Sequence, residues 1–153
     1  MTIQKSLIKE WRLKAMIRIG KSPNSSDSYS TPRWILDMFP NAFDPCPFNP
    51  DWQPSDYDGL VEEWPEEGLI FINPPYSNVK PWVEKAFNHK FNCNMKAKKI
   101  TILMLLKHDS STKWFAKLQE GGAKFLMFQG RLAFGDQKEK SKPCAFPSIL
   151  AVI

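Results

Sequence analysis

The stretch Leu69-Ile70-Phe71-Ile72-Asn73-Pro74-Pro75-Tyr76 decides the fold class of this chain. Its first four residues are all apolar, and the run ends abruptly at a polar asparagine followed by two prolines. A strand that is apolar on both faces is typical of a parallel sheet covered by helices. We therefore predict a buried parallel strand over residues 69–72, with Asn73 at its carboxyl end.

The sequence downstream continues the alternation of helices and strands. Apolar residues recur at helical spacing from Asn78 to Phe91, and a second continuous apolar run spans Lys99 to Leu106. A helix capped by Ser110 or Ser111 comes next, followed by strand-like segments over 123–128, 130–134 and 146–153. The pattern predicts an α/β fold: a compact sheet with helices on both faces and an antiparallel C-terminal hairpin.

Upstream of that stretch the chain divides into two parts. Residues 3–19 place apolar side chains at helical spacing with basic residues mostly between them, and residues 21–30 are rich in Ser, Asn and Pro. We predict a basic amphipathic helix and linker over 1–28 and a single domain over 29–153. A helix over 33–39 is expected to open that domain, with Thr31 as its cap and Pro32 in its first turn.

Composition narrows the class of protein. A chain of 153 residues with 42% hydrophobic residues is the size of one domain. A net charge of +5 helps to attract a polyanion but does not establish one as a partner. Charged residues interrupt the apolar positions of the first segment, and no apolar run of about 18 residues occurs, so we expect neither a membrane span nor a signal peptide.

The cysteines indicate a reducing compartment. Cys46, Cys93 and Cys144 are too few and too scattered to form a disulfide framework. His89 lies four residues before Cys93, but no second ligand pair follows in the sequence. We therefore predict no metal site.

Polar side chains follow the predicted strands. Asp44 comes after a short apolar step and before Pro45-Cys46, and Asn73 ends the buried strand. Ligands of open α/β sheets bind beyond the carboxyl ends of the strands, so Asp44 and Asn73 are candidate ligand-binding residues. Asp58 precedes Gly59, a pair that is as common in ordinary turns as in binding loops.

Seven short motifs occur in order along the chain. They are Tyr29-Ser30-Thr31-Pro32, Phe43-Asp44-Pro45-Cys46, Asp58-Gly59-Leu60 followed by Trp64, Asn73-Pro74-Pro75-Tyr76-Ser77, Trp114-Phe115, Gly130-Arg131-Leu132-x-Phe134 and Phe146-Pro147-Ser148. In this combination the chain, from Tyr29 to its C-terminus, resembles the phage-type DNA N6-adenine methyltransferase (Dam-like) family. Asn-Pro-Pro-Tyr alone is shared with other amino methyltransferases, including the glutamine methyltransferases of release factors.

The resemblance implies a Rossmann-like methyltransferase sheet with residues 29–153 as the catalytic domain. It implies S-adenosylmethionine as the cofactor, double-stranded DNA as the partner and the cytoplasm of a bacterium or phage-infected host as the location. A homodimer would supply the surface for target recognition that so short a chain lacks. The catalytic residues implied are Asn73, Pro74, Pro75 and Tyr76. The cofactor-binding residues implied are Tyr29, Thr31, Pro32, Asp44, Pro45, Cys46 and Asp58.

The residue types of Asn-Pro-Pro-Tyr suggest how the methyl acceptor, the adenine amine, would be bound. The exocyclic amine of adenine is a weak nucleophile because its lone pair is delocalised into the ring. The Asn73 side-chain oxygen can accept one N–H and the Pro74 carbonyl the other, which favours a tetrahedral nitrogen. Held in line with the methyl group of the cofactor, the amine needs positioning more than a strong base. Tyr76 offers a face on which a flipped base can stack.

Several alternatives remain open at this point. Cys46 and Cys144 each follow a proline, which raises cytosine-C5 methylation, although neither lies in a complete motif for that reaction. The same acceptors suit RNA or a protein glutamine amide, and an inactive DNA-binding relative is a third alternative. Asp44 lies only 29 residues before Asn73, so either the cofactor site uses an abbreviated sheet or the donor binds weakly.

Overall fold

The structure is a computed structural model that describes residues 29–49, 51, 53, 56–135 and 143–153. Its helices and strands are, in chain order, α1 (Arg33–Met38), β1 (Gly68–Ile72), α2 (Val79–Met95), β2 (Ile100–Lys107), α3 (Lys113–Glu120), β3 (Lys124–Met127) and β4 (Ser148–Val152). The amphipathic helix and linker predicted over 1–28 lie outside the described residues.

The four strands form one mixed sheet in the order β1-β2-β4-β3. β1 pairs with β2 in parallel, whereas β4 runs antiparallel to both β2 and β3. The predicted α/β class is confirmed in this coarse form. The C-terminal strand is antiparallel as predicted, but it pairs with β3 and not with residues 130–134. β4 does not end the sheet as an outer strand, because it inserts between β2 and β3.

The prediction of a strand over 130–134 is wrong. Gly130 has a φ of +74°, which turns the chain out of an extended path. The Leu132 carbonyl then accepts the amide of Cys144 at 2.8 Å, and the Leu132 side chain is buried against the sheet. The segment therefore covers a face of the sheet instead of joining it.

A single residue extends the sheet on the free side of β1. Phe43 forms a parallel bridge with Ile70: its amide donates to the Leu69 carbonyl at 2.8 Å and its carbonyl accepts from Phe71 at 2.9 Å. The strand predicted before Asp44 is thus one bridge long. Pro45 has no N–H with which to continue the ladder, which gives a physical reason for the short pairing.

Both faces of the sheet are covered, as the apolar strands predict. On one face Ile70 and Ile72 pack with buried residues of α2 and α3, such as Val83 and Leu118. On the other face Phe71 belongs to a core cluster that includes Ile35 of α1. Alternate residues of β1 enter different cores, which is why its sequence shows no polar alternation.

The predicted helix caps are corrected by the structure. α1 begins after Pro32, whose carbonyl accepts the amide of Ile35 at 3.0 Å, and no side chain caps the helix. The Thr31 hydroxyl instead accepts a bond from Asn73. α3 is capped by Thr112, whose hydroxyl accepts the Phe115 amide at 3.3 Å, because Ser111 is bonded to Asp109.

Candidate active site

The predicted site residues gather at one edge of the sheet. β1 and β2 are parallel and in register at Ile72 and Met104, so both end at this edge. The antiparallel β4 begins there, since Ser148 pairs with Lys107 at the end of β2. The turn after β1, the end of β2 and the start of β4 therefore lie together at this edge.

Only the nitrogen of the Asn73 side-chain amide is hydrogen-bonded among the described residues. Its Nδ2 donates to the Tyr29 carbonyl oxygen at 2.7 Å and to Thr31 Oγ1 at 3.0 Å. Because a carbonyl oxygen can only accept, the nitrogen must face Tyr29 and the oxygen must face away. Oδ1 is buried and has no hydrogen-bond partner among the described residues. An unpaired buried acceptor costs about 1–3 kcal/mol, and a ligand N–H would remove that cost.

The turn after Asn73 is rigid and leads directly into α2. The Pro75 carbonyl accepts the amide of Asn78 at 3.0 Å, and α2 begins at the next residue. Pro74 is buried, and neither proline has an N–H to donate. The Tyr76 hydroxyl donates to the Leu105 carbonyl at 3.4 Å, which ties this turn to β2.

Four rings, here called the aromatic cluster, surround the turn: Tyr29, Tyr76, Phe134 and Phe146. The Tyr29 ring centroid lies 5.5 Å from that of Tyr76 and 5.3 Å from those of Phe134 and Phe146. The Tyr76 and Phe146 rings meet edge to face at 5.4 Å, a favourable geometry. Burial holds the pKa of the Tyr76 phenol far above its ordinary value. The sequence placed Phe134 and Phe146 in motifs but gave them no role.

The second group of predicted residues is built from two loops in direct contact. Asp44 Oδ1 accepts the Cys46 amide and Asp58 Oδ1 accepts the Leu60 amide, each at 2.8 Å. A Cβ atom on Gly59 would lie 1.9 Å from the Pro45 carbonyl oxygen, so only glycine permits this approach. The structure thus joins Asp44, Pro45, Cys46 and Asp58, which are up to 14 residues apart in sequence.

The electrostatics of these loops reflect their burial and their acidic groups. Burial raises the pKa of Asp44 from 3.8 to about 7, although the Cys46 amide opposes the shift. Burial, then Asp44 and Asp58, raise the pKa of the Cys46 thiol above its usual range. Tyr57 was missed by the sequence analysis, and the pKa of its phenol is raised by burial, then by Glu62 and Asp44. A protonated Cys46 is a poor nucleophile, which argues against cytosine-C5 chemistry at this residue.

Asp44→Asn is expected to change how the stability of the chain depends on pH. Because the pKa of Asp44 is raised on folding, the folded chain binds an extra proton between pH 4 and 7. The free energy of unfolding should therefore fall as the pH rises through this window, and the substitution should remove about 2–4 kcal/mol of that fall. Urea denaturation at pH 5 and pH 7.5 measures it, with Asp37→Asn as the exposed control. An unchanged pH dependence in Asp44→Asn would refute the assignment.

The residues predicted to bind the cofactor therefore divide between two places. Tyr29 and Thr31 contact Asn73 directly, and Pro32 is buried at the start of α1. The loops of Asp44 and Asp58 follow the Phe43 bridge, on the outer side of β1. The parallel direction of that bridge places Asp44 at the same edge of the sheet as Asn73.

The described residues contain neither a cluster suited to a metal ion nor a helix suited to a membrane. His89 Nε2 lies 3.5 Å from Cys93 Sγ and 2.9 Å from the Pro65 carbonyl oxygen. No group of three or more His, Cys, Asp or Glu side chains suited to a metal ion occurs in the described part of the chain. Within the same ranges, no helix is both long enough and apolar enough to cross a membrane.

Comparison with known proteins places these features in context. The family model described as DNA N-6-adenine-methyltransferase (Dam) matches residues 21–153. A DNA N-6-adenine-methyltransferase of Haemophilus phage HP1 (strain HP1c1) is 28% identical over 111 residues, which cover 65% of this chain. The match spans 61% of the length of that phage protein. No solved structure matches the chain significantly.

Proposed function

Because this chain belongs to the DNA N-6-adenine-methyltransferase (Dam) family, we propose that it methylates the exocyclic amine of a flipped adenine at specific sites in double-stranded DNA, with S-adenosylmethionine as the methyl donor. Family membership confirms the resemblance inferred from the seven motifs. The single observation that carries the proposal is Asn73, whose buried Oδ1 has no partner among the described residues while its Nδ2 is held by Tyr29 and Thr31.

Asn73 and Pro74 would bind the reacting amine. Asn73 Oδ1 accepts one N–H and the Pro74 carbonyl accepts the other, so that the nitrogen lone pair is directed away from the ring. The two contacts of Nδ2 orient the amide before the substrate arrives, which reduces the reorganisation needed during the reaction. The main role of these residues is therefore to position a weak nucleophile.

Tyr76 would stack on the flipped adenine. Its ring is oriented by the hydroxyl contact with the Leu105 carbonyl and by the edge of Phe146. The Tyr29 ring is tilted by 36° at 5.5 Å, so it would have to shift to make room for a base on that side. Taking the base out of the duplex exposes its amine to Asn73, which the intact helix would prevent.

The loops of Asp44 and Asp58 fit a cationic cofactor. S-adenosylmethionine, when bound, supplies an electrophilic methyl group on a positively charged sulfur. Each carboxyl group uses Oδ1 to accept a loop amide, and the second oxygen of each would accept a hydroxyl or ammonium hydrogen of the cofactor. A bound cation favours the ionised form of a nearby carboxyl group, so the cofactor would lower the raised pKa of Asp44 and be attracted by the resulting charge. We assign Tyr29, Thr31, Pro32, Pro45 and Cys46 to the borders of the same site.

The short stretch of chain between Asp44 and Asn73, which would bind the methyl donor, supports an abbreviated Rossmann-like sheet. Among the described residues between Phe43 and Gly68 there is no helix or strand, so loops connect the bridge to β1. These loops nonetheless bring Gly59 against Pro45, which closes this side of the site without additional βα units. We therefore favour the abbreviated sheet over the loss of donor binding.

The remaining proposals concern the setting of the reaction. Residues 29–153 would form the catalytic domain, and the net charge of +5 suits a DNA partner. We place the protein in the cytoplasm of a bacterium or of a phage-infected host cell. We also propose that two copies of the chain form a homodimer and that both copies contribute to the DNA-binding surface.

Transfer of labelled methyl groups tests the function. The purified chain is incubated with tritium-labelled S-adenosylmethionine and unmethylated duplex DNA, and the DNA is digested to nucleosides. Recovery of label in N6-methyladenine is the expected result. Label found only in RNA or protein would contradict the proposed substrate, and the absence of heat on titration with the cofactor would indicate an inactive DNA-binding relative.

Thr31→Val is expected to slow methylation about tenfold, because Asn73 Nδ2 loses one of its two acceptors. Thr31→Ser keeps the hydroxyl and should restore most of the rate. Single-turnover kinetics measure the effect, and thermal denaturation separates it from a loss of stability. If Thr31→Ser is as slow as Thr31→Val, the hydroxyl is not what positions Asn73.

A further inference from the structure

One lysine, Lys107, lies among the rings of the aromatic cluster. It is the last residue of β2, two residues beyond Leu105, so both side chains leave the same face of the sheet. The register of β1 and β2 pairs Ile72 with Met104, and one further residue along brings Asn73 opposite Leu105. Lys107 therefore lies on the same face of the sheet as Asn73, and at the same edge.

Lys107 contacts two aromatic rings and forms no ion pair within the described ranges. Its Nζ lies 4.4 Å from the centroid of Phe146 and 5.3 Å from that of Tyr76. A contact with a ring is weaker than a hydrogen-bonded ion pair with a carboxylate. Lys107 is half-buried, and the ion pairs found within the described ranges all use other cations.

The polar neighbours of Lys107 offset its charge only in part. Its partner across β4 is Ser148, a neutral residue that is 2% exposed and whose hydroxyl has no hydrogen-bond partner in the described part of the chain. Asp109 follows Lys107 by two residues, and its Oδ1 accepts the Ser111 amide at 3.1 Å and the Ser111 hydroxyl at 2.6 Å. These bonds, and to a smaller extent the charge of Lys107, lower the pKa of Asp109, but this carboxylate is exposed and forms no ion pair with the lysine within the described ranges. An anion from outside the chain would complete this environment.

We propose that Lys107 binds a backbone phosphate next to the target adenine, an inference that rests on the proposed function. The two anions that function brings to the site are DNA phosphates and the cofactor carboxylate. The loops of Asp44 and Asp58 lie beyond the far side of β1, two strand spacings or about 10 Å from β2, but Tyr29 would also border the cofactor and it packs on Tyr76. The cofactor carboxylate is therefore the competing anion, and an oligonucleotide with neutral linkages distinguishes the two. Lys107 contacts Tyr76, on which the base would stack, and a stacked adenosine brings its own phosphates with it.

The salt dependence of DNA binding tests the contact without a methylation readout. The probe is a fluorescent single-stranded oligodeoxyadenylate, which needs neither a recognition sequence nor base flipping, titrated in saturating S-adenosylhomocysteine. Lys107→Met should weaken binding about tenfold at 0.1 M salt and reduce the slope of log affinity against log salt by about 0.7, the value for one phosphate. Lys107→Arg should keep the wild-type slope.

Lys124→Met is the matched control. Lys124 is an exposed lysine that pairs with Val152, at the opposite end of β4 from the Ser148–Lys107 pair. Its removal should leave the slope unchanged. Equal slopes for wild type and Lys107→Met, or equal losses in both lysine variants, would overturn the proposal, as would a wild type that does not bind this probe.

A second probe separates phosphate from base. Two oligothymidylates each carry a single adenine; in the second of them, the neutral probe, methylphosphonate linkages on both sides of that adenine remove the charge but leave the base intact. The wild type should lose about tenfold in affinity for this probe, whereas Lys107→Met should bind both probes alike. If Lys107→Met binds the neutral probe more weakly than the wild type does, the lysine contacts the base and not the phosphate. That result would overturn the proposed contact.

Failure of this inference differs from failure of the proposed function. A wild type that methylates DNA while Lys107→Met leaves the salt slope unchanged overturns the phosphate contact alone. A wild type that transfers no methyl group to DNA overturns the function, even where the salt slope still changes. Thermal denaturation of each variant shows whether the aromatic cluster has kept its packing.

Discussion

Asn73→Ala is expected to slow adenine methylation by about 10²–10³-fold while leaving the affinity for S-adenosylmethionine within about threefold of the wild type. Removing one preorganised hydrogen-bond partner of the reacting group typically has an effect of this size. The substitution deletes the buried Oδ1 that would accept the adenine N–H, and also the Nδ2 that donates to Tyr29 and Thr31. The acidic loops do not take part in these bonds. Tyr29 and Thr31, which would border the cofactor, each lose one hydrogen bond, so a small change in cofactor affinity is expected.

Asn73→Asp provides the matched control for this result. It keeps an oxygen at the position of Oδ1, but its second oxygen replaces Nδ2, which lies 2.7 Å from the Tyr29 carbonyl oxygen. Two acceptors at that distance repel each other, so the carboxylate should shift or take up a proton. We expect a rate between those of Asn73→Ala and the wild type. Single-turnover kinetics measure the rates and calorimetry measures the cofactor affinity; a wild-type rate in Asn73→Ala would exclude the proposed mechanism.

Gly59→Ala is expected to destabilise the chain by about 3 kcal/mol and to weaken cofactor binding at least tenfold. The new methyl group would lie 1.9 Å from the Pro45 carbonyl oxygen, a backbone atom that cannot move aside as a flexible side chain would. The loops must therefore separate. Separation would also strain the bond from Trp64 Nε1 to the Gly59 carbonyl, which is 2.8 Å long. Asp44 and Asp58 would no longer face the same space.

Gly122→Ala is the control for a general effect of glycine replacement. Gly122 has a φ of +78° but nothing within 4 Å of its added Cβ, so the cost is backbone strain of about 1 kcal/mol. It follows α3, away from the acidic loops, and cofactor affinity should not change. Urea denaturation and calorimetry measure the two quantities. Wild-type stability in Gly59→Ala would mean that the two loops are not in contact.

Local patterns in the sequence were sufficient for most of the helices and strands. The apolar run before Asn73 predicts a strand buried on both faces, and the structure confirms it as β1. The helix predicted over 78–91 is α2, although it continues to Met95. These features depend on the periodicity of neighbouring side chains, which the sequence displays directly. The order of the motifs likewise predicted the family.

Local patterns failed where a group had two competing partners. Thr31 precedes a helix and is a good cap by residue type, yet its hydroxyl accepts from Asn73, 42 residues away. The segment 130–134 has strand-like residues, but Gly130 turns it and Leu132 is buried on a face of the sheet. A propensity describes one residue and its neighbours, and it cannot show which distant group competes for the same bond.

The sequence by itself determined that Asn73 follows a buried strand and that a rigid Pro-Pro turn follows Asn73. Only the tertiary structure decided which way the amide faces, because the Tyr29 carbonyl that orients it lies 44 residues away. The same holds for the contact of Gly59 with Pro45 and for the rings around Lys107. Each of these depends on strand order and register, which set distances between residues far apart in the chain, whereas a sequence pattern reports only the spacing of near neighbours.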